Sequence, residues 1–204
     1  MQADKLRLIG AAAVPDLHNS ALYNILIIDK YRNFMPFIYH QVPRSMKGGR
    51  LFPLNELRDV MPEIYETEIK KYAGREHLLD ETVPILNCLW NDVLHFSLVH
   101  PVKIKETLLS LGNPFHYNFF EVPAEILDPS KTVIYLYLRD DNQITSDQFI
   151  PFSPYGLEGL GALPQLTSDY YAQTVRSGKK LYAYHGIPHV LRSEEHTSEL
   201  QSQR

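Results

Sequence analysis

His40 and Arg44 stand four residues apart in Phe37-Ile-Tyr-His-Gln-Val-Pro-Arg44, a run whose first six residues read as a strand closed by Pro43. Imidazole exchanges a proton near neutral pH, and a guanidinium clamps a phosphate or carboxylate through two hydrogen bonds. At the end of a sheet the pair would suit an anionic ligand. A second constellation lies in Trp90-Asn-Asp92 followed by His95. It offers an aromatic platform, an amide, and a carboxylate able to orient an imidazole as in general-base pairs. The expected catalytic residues are therefore His40, His95 and Asp92, and the expected ligand-binding residues are Arg44, Trp90, Asn91 and His185. The structural alternatives stand beside these readings. His40 can be a backbone-bonded strand histidine with Arg44 as a surface charge, and Asn91 and Asp92 can be turn formers that cap local backbone.

Other chemistries find little footing. The single cysteine, Cys88, sits in an apolar stretch and reads as an inert core residue, although pairing with His95 would make an activated thiolate. One cysteine allows no internal disulfide and favours a reducing, cytoplasmic compartment. His95 and His100 point to opposite faces if both lie on a strand, and in His185-Gly-Ile-Pro-His189 the Gly and Pro break any helix that would aim both rings at one ion. No metal site is expected, and no cofactor is specified. Glycine-rich phosphate loops and nucleophile elbows are missing from the sequence. A net charge of -4 does not suit a nucleic-acid binder, and the longest apolar run, Val133-Ile-Tyr-Leu-Tyr-Leu138, is too short to span a bilayer. Neither nucleic acid nor membrane is expected as a partner.

The elements that must position these residues read as one α+β domain, with a mixed or antiparallel sheet packed by several short helices. Strands are expected at 37–42, 93–99, 117–122, 132–138 and 181–184, with a hairpin through Asp140-Asp-Asn142 to the region of Phe149. Helices are expected from Pro62 to a stop at Gly74, from Pro101 to Gly112, and over 167–177. The charges Glu63, Glu66, Glu68, Lys70 and Lys71 read as the solvated face of the first. Residues 85–92 read as a buried turn, and residues 1–35 as an extension in which 21–28 is a short helix or a buried strand.

The last residues have a different character. Arg192-Ser-Glu-Glu-His-Thr-Ser-Glu-Leu-Gln-Ser202 reads, codon for codon, as one frame of a standard sequencing adapter, and residues 192–204 are expected not to be native. The domain would then span 36–191 and lack its own C-terminus. Removing three acids and two bases moves the net charge only from -4 to -3.

The segments Phe37-Ile-Tyr-His-Gln-Val-Pro-Arg44, Leu51-Phe-Pro-Leu-Asn-Glu-Leu57, Ile85-Leu-Asn-Cys-Leu-Trp-Asn-Asp-Val-Leu-His-Phe96 and Tyr184-His-Gly-Ile-Pro-His-Val190 resemble an uncharacterised bacterial family labelled only "group-specific protein". That resemblance, over roughly 36–191, implies no activity, cofactor or partner. Tyr39-His40 and the later Leu94-His-Phe96 strand are faintly similar to ADP-ribosyltransferase-like domains. Those use an early-strand histidine to hold nicotinamide dinucleotide; the sequence departs from them in lacking a clear match to their glutamate, for which Glu121 in Phe119-Phe-Glu121 is a candidate by position alone. The function expected on all these grounds is a small transferase or hydrolase acting on a nucleotide-like or anionic ligand. The alternative is a non-catalytic interaction or ligand-binding module in which Trp90 and the tyrosines form an apolar surface.

Overall fold

The 5-residue strand Phe37–Gln41 (β1) is the first element of the computed structural model, which describes residues 36–44, 46–138 and 143–194. These all lie in the unit Met35–Arg204. The readings made for residues 1–35, for the turn at 140–142 and for 195–204 fall outside the described residues. After β1 the chain forms two short helices, Leu54–Val60 (α1) and Pro62–Glu68 (α2). A small hairpin follows, Thr82–Val83 (β2) with Cys88–Leu89 (β3), and then Val93–Ser97 (β4) and the helix Pro101–Ser110 (α3). Phe119–Pro123 (β5), Thr132–Tyr135 (β6), Phe149–Pro151 (β7), the helix Gln165–Ser177 (α4) and His189–Ser193 (β8) complete the order.

Six strands form one sheet in the order β5-β1-β4-β8-β6-β7, and each neighbouring pair is antiparallel. The fold is α+β in one domain, as the sequence suggested. Both sheet faces are covered, so the inner strands carry apolar residues at consecutive positions instead of alternating. On β8, Val190 and Leu191 are both fully buried and lie in two different clusters. One cluster joins Ile38, Leu94, Phe96, Ile134 and Val190 to the loop residues Leu127, Phe152 and Leu157. The other joins Val93, Val133, Tyr135 and Leu191 to Leu54, Tyr72, Val83 and Trp90. A third, built on Ile104, Leu108, Tyr171 and Ile187, seats α3 and α4. Each such aliphatic side chain contributes roughly 1.5–3 kcal/mol by leaving water.

The helix starting at Pro62 gives way to a 3-10 turn at Ile69–Tyr72, and Gly74, at a φ of 80°, closes it. Pro101 opens α3 as expected, and Gly112, at 75°, ends it. The strand expected at 181–184 is not formed. The Tyr182 amide donates to the Tyr170 hydroxyl, and the His185 amide returns to the Tyr182 carbonyl in a turn, so no ladder partner is left for this stretch. The closing strand lies instead at His189–Ser193, where Leu94 pairs Arg192 and Val93 pairs Ser193. Arg192 and Ser193, which the tail reading excluded, thus extend β8. Residues 85–92 hold the turn of the β2–β3 hairpin, with Asn87 at a φ of 50°, a left-handed value that asparagine tolerates.

Candidate functional site

Asp92 ends the 3-10 turn Trp90–Asp92 and folds its carboxylate back on the chain. One oxygen accepts the Leu89 amide at 2.9 Å and the other accepts the Asn55 side-chain amide at 2.7 Å. It is a satisfied capping group and not the orienting partner of His95. That place is taken by a backbone carbonyl, since His95 Nε2 lies 2.9 Å from the Trp90 oxygen. A carbonyl only accepts, so the neutral ring carries its hydrogen on Nε2 and keeps the Nδ1 lone pair. Asn91 is buried, and neither side-chain amide atom has a partner among the described residues.

The structure brings Trp90, His95 and His185 into one array of rings over a single sheet face. Trp90 lies 4.7 Å from His95 and 5.3 Å from Tyr135, between ring centres. Tyr135 continues to Tyr137 at 5.7 Å and Tyr137 to His185 at 5.2 Å, and His185 stacks on Tyr170 at 3.8 Å. The Tyr137 oxygen and His185 Nδ1 are 3.0 Å apart. His189, which the sequence reading did not place in the site, sits 6.2 Å from His95 and 6.4 Å from Tyr184. Its Nδ1 and the Tyr184 hydroxyl are both buried without a partner among the described residues.

Burial dominates the electrostatics of this array. Loss of hydration pushes His95 down to about 3, and repulsion from His189, Lys71 and His40 acts the same way. His189 is pushed down to about 4, again by burial. His40 is lowered by burial, with a smaller repulsion from the Lys71 ammonium. These imidazoles are neutral near pH 7, when they offer lone pairs and N–H groups instead of charge. The Cys88 thiol is pushed up to about 12 by burial and by the Asp92 charge, the reverse of an activated thiolate.

His40 stands next to this array at a sparse point in the sheet pairing. β1 shares five paired positions with β5 and β4 shares five with β8, but β1 and β4 share only Tyr39 with Ser97. Past that pair, His40 rests edge-on against Phe96 at 5.5 Å, and its Nδ1 is buried without a partner among the described residues. Lys71 stays on the solvated face expected of this segment. Its side chain keeps 53% of its accessible area, its ammonium stands 4.0 Å from a Glu68 carboxylate oxygen, and desolvation lowers its pKa. Arg75 lies close enough to add repulsion, and its guanidinium stands 4.1 Å over the Tyr182 ring.

Arg44 is drawn elsewhere. Its guanidinium lies 5.6 Å over Tyr117, on an open groove of about 690 Å³ lined by Val42, Pro43, Arg44, Pro101, Val102, Lys105, Phe115, His116, Tyr117, Asn118 and Phe119. Glu121 pairs with Tyr39 in the β1–β5 ladder, where His40 faces Phe120, so alternation puts Glu121 and His40 on opposite faces. Tyr39 donates to Glu121 at 3.3 Å. Among the described residues no three His, Cys, Asp or Glu side chains are grouped to hold a metal ion, and no helix is long and apolar enough to cross a membrane. Comparison with protein-family models, with curated proteins and with solved structures found no match for the chain.

Proposed function

We propose that the domain binds a small anionic, nucleotide-like ligand in a recess beside the ring array, near the single β1–β4 pairing, and acts on it as a small transferase or hydrolase. The observation that carries this reading is the array in which His95, His189, Trp90 and Tyr135 lie against one another on one sheet face, beside a β1–β4 edge that pairs at a single position. Lys71 and Arg75 supply positive charge, the neutral imidazoles supply directional donors and acceptors, and Trp90 with Tyr135 supplies a flat apolar wall. The buried Tyr184 hydroxyl, which has no partner among the described residues, is a group a polar ligand would satisfy. A reducing, cytoplasmic setting belongs to the same reading and rests on the lone, buried Cys88.

A second reading, binding without chemistry, draws on one observation. An imidazole held as low as His95 is a weak base at neutral pH, and Asp92 is engaged with Asn55 and Leu89. The test is a thermal-shift series with nucleoside mono- and diphosphates and sugar phosphates, followed by chromatography of each stabilising ligand after incubation. Stabilisation abolished by Lys71→Ala and His40→Ala in folded variants, with a new product peak, supports the enzyme. Stabilisation without product supports the binding module, and no stabilisation by any ligand rejects both.

A further inference from the structure

The groove at the end of β1 has a composition that the ring array does not share. Arg44 rises from one wall and Lys105 from α3 on the other, with His116 beside them, and no Asp or Glu lines it. Neither Arg44 nor Lys105 meets a carboxylate among the described residues. Between the cations lie apolar surfaces, with Val102 at 48% exposure and Tyr117 at 41%.

We propose that this groove docks an acidic, extended peptide segment of a partner protein, with an aliphatic side chain of the segment seated between carboxylates. Charge complementarity selects an acidic occupant. Three details favour a peptide over a nucleotide or free phosphate. The start of α3 offers no free amide cradle: its first residue is Pro101, the Val102 amide donates to His100 Nδ1 at 3.1 Å, and the Lys103 amide donates to the His100 carbonyl at 3.0 Å. The Arg44 guanidinium already lies over the Tyr117 ring, so a nucleobase would have to displace it to stack there. The mixed lining suits alternating carboxylate and aliphatic side chains, and the exposed Asn118 amide can pair with a peptide backbone. His95, His189 and Lys71 are not part of the lining, so this inference stands or falls apart from the ligand recess.

The experiment is fluorescence anisotropy on the full chain with labelled Glu-Glu-Leu-Glu-Glu, and with Gln-Gln-Leu-Gln-Gln and Lys-Lys-Leu-Lys-Lys as controls. The acidic peptide is expected to bind and the controls to fail. Arg44→Glu, Lys105→Glu and Val102→Asp should each weaken binding about tenfold or more, with loss at high salt and unchanged thermal midpoints. Lys179→Glu, outside the groove, should bind as the parent does. Where charge reversal unfolds the chain, Arg44→Gln and Lys105→Gln replace it with the same expected direction. Absent binding, equal binding by the groove variants, or displacement of the peptide by equimolar pyrophosphate would overturn the proposal, the last by identifying a small-anion site.

Discussion

His95 Nε2 lies 2.9 Å from the carbonyl oxygen of Trp90, five residues earlier, and the two rings sit 4.7 Å apart. One backbone acceptor thereby fixes the tautomer of a buried imidazole whose neutrality burial already enforces. A carboxylate in the same place would have raised the pKa and made a stronger base. The carbonyl leaves a ring suited to hydrogen bonding, with Nδ1 as acceptor.

The buried imidazoles give stability an acid limb. His95 and His189 have folded-state values near 3 and 4, below the ordinary histidine value of about 6.5 for the unfolded chain. Between those limits the unfolded state binds protons that the native state does not, so stability falls as pH drops from about 6.5 towards 4. Each histidine is expected to cost on the order of 1–2 kcal/mol at pH 5 relative to pH 7.5. Urea unfolding at the two pH values measures it. The double variant His95→Gln with His189→Gln should flatten the slope, and an unchanged slope would place the acid sensitivity in other groups.

Asp92 separates a structural from a catalytic role. Replacing it with Ala strands the Leu89 amide and the Asn55 side chain, at an expected cost of about 1–3 kcal/mol in unfolding free energy. Because the carboxylate does not touch His95, ligand binding by the folded Asp92→Asn variant should match the parent within a factor of about two, well under 1.4 kcal/mol. A much larger loss of binding at full stability would return Asp92 to the functional set.

The sheet and its helices were legible wherever period and punctuation agreed. Pro101 and Gly112 bracket a helix whose inward residues Ile104 and Leu108 are buried, and Phe37 to Gln41 is a strand stopped by Pro43. The closing strand was misplaced because Leu181-Tyr-Ala-Tyr184 carries better strand residues than His189-Val-Leu-Arg-Ser193. Ladder partners decide between them, and Leu94 and Ile134 both pair into the later stretch. Lys71 was legible as a surface charge because an amphipathic repeat continues through it, and its side chain keeps 53% of its accessible area. The switch to a 3-10 turn at Ile69 was not legible, since no local sequence signal announces it. The ring array was visible only as separate members: Trp90 meets Tyr135, and Tyr137 meets His185, only through the tertiary fold, which single-chain patterns do not encode.

Gly186 fixes the turn that presents Tyr184 and His185. It adopts a φ of 75°, and a Cβ there would stand 2.7 Å from the buried Thr167 hydroxyl oxygen on α4. Gly186→Ala therefore combines left-handed strain with a steric clash and should destabilise by roughly 2–4 kcal/mol. Gly74→Ala has a similar φ of 80° but open space around the added carbon, and should cost only about 1 kcal/mol. Thermal unfolding of the pair reads the difference, and equal losses would show that backbone strain alone governs both.

Tyr184 offers the sharpest test of whether the ring array receives a ligand. Its hydroxyl is buried with no partner among the described residues, and burial raises its pKa. An unsatisfied buried hydroxyl stabilises nothing, so Tyr184→Phe should leave the ligand-free protein as stable as the parent or up to about 1 kcal/mol more so. A ligand that fills the recess should bond this hydroxyl, and the same variant should then lose about 1–2 kcal/mol of ligand-dependent stabilisation, measured as the change in thermal shift at saturating ligand. Loss of stability in the ligand-free variant would mean that the hydroxyl has a resident partner. An unchanged ligand response would place the bound molecule away from Tyr184 and His189.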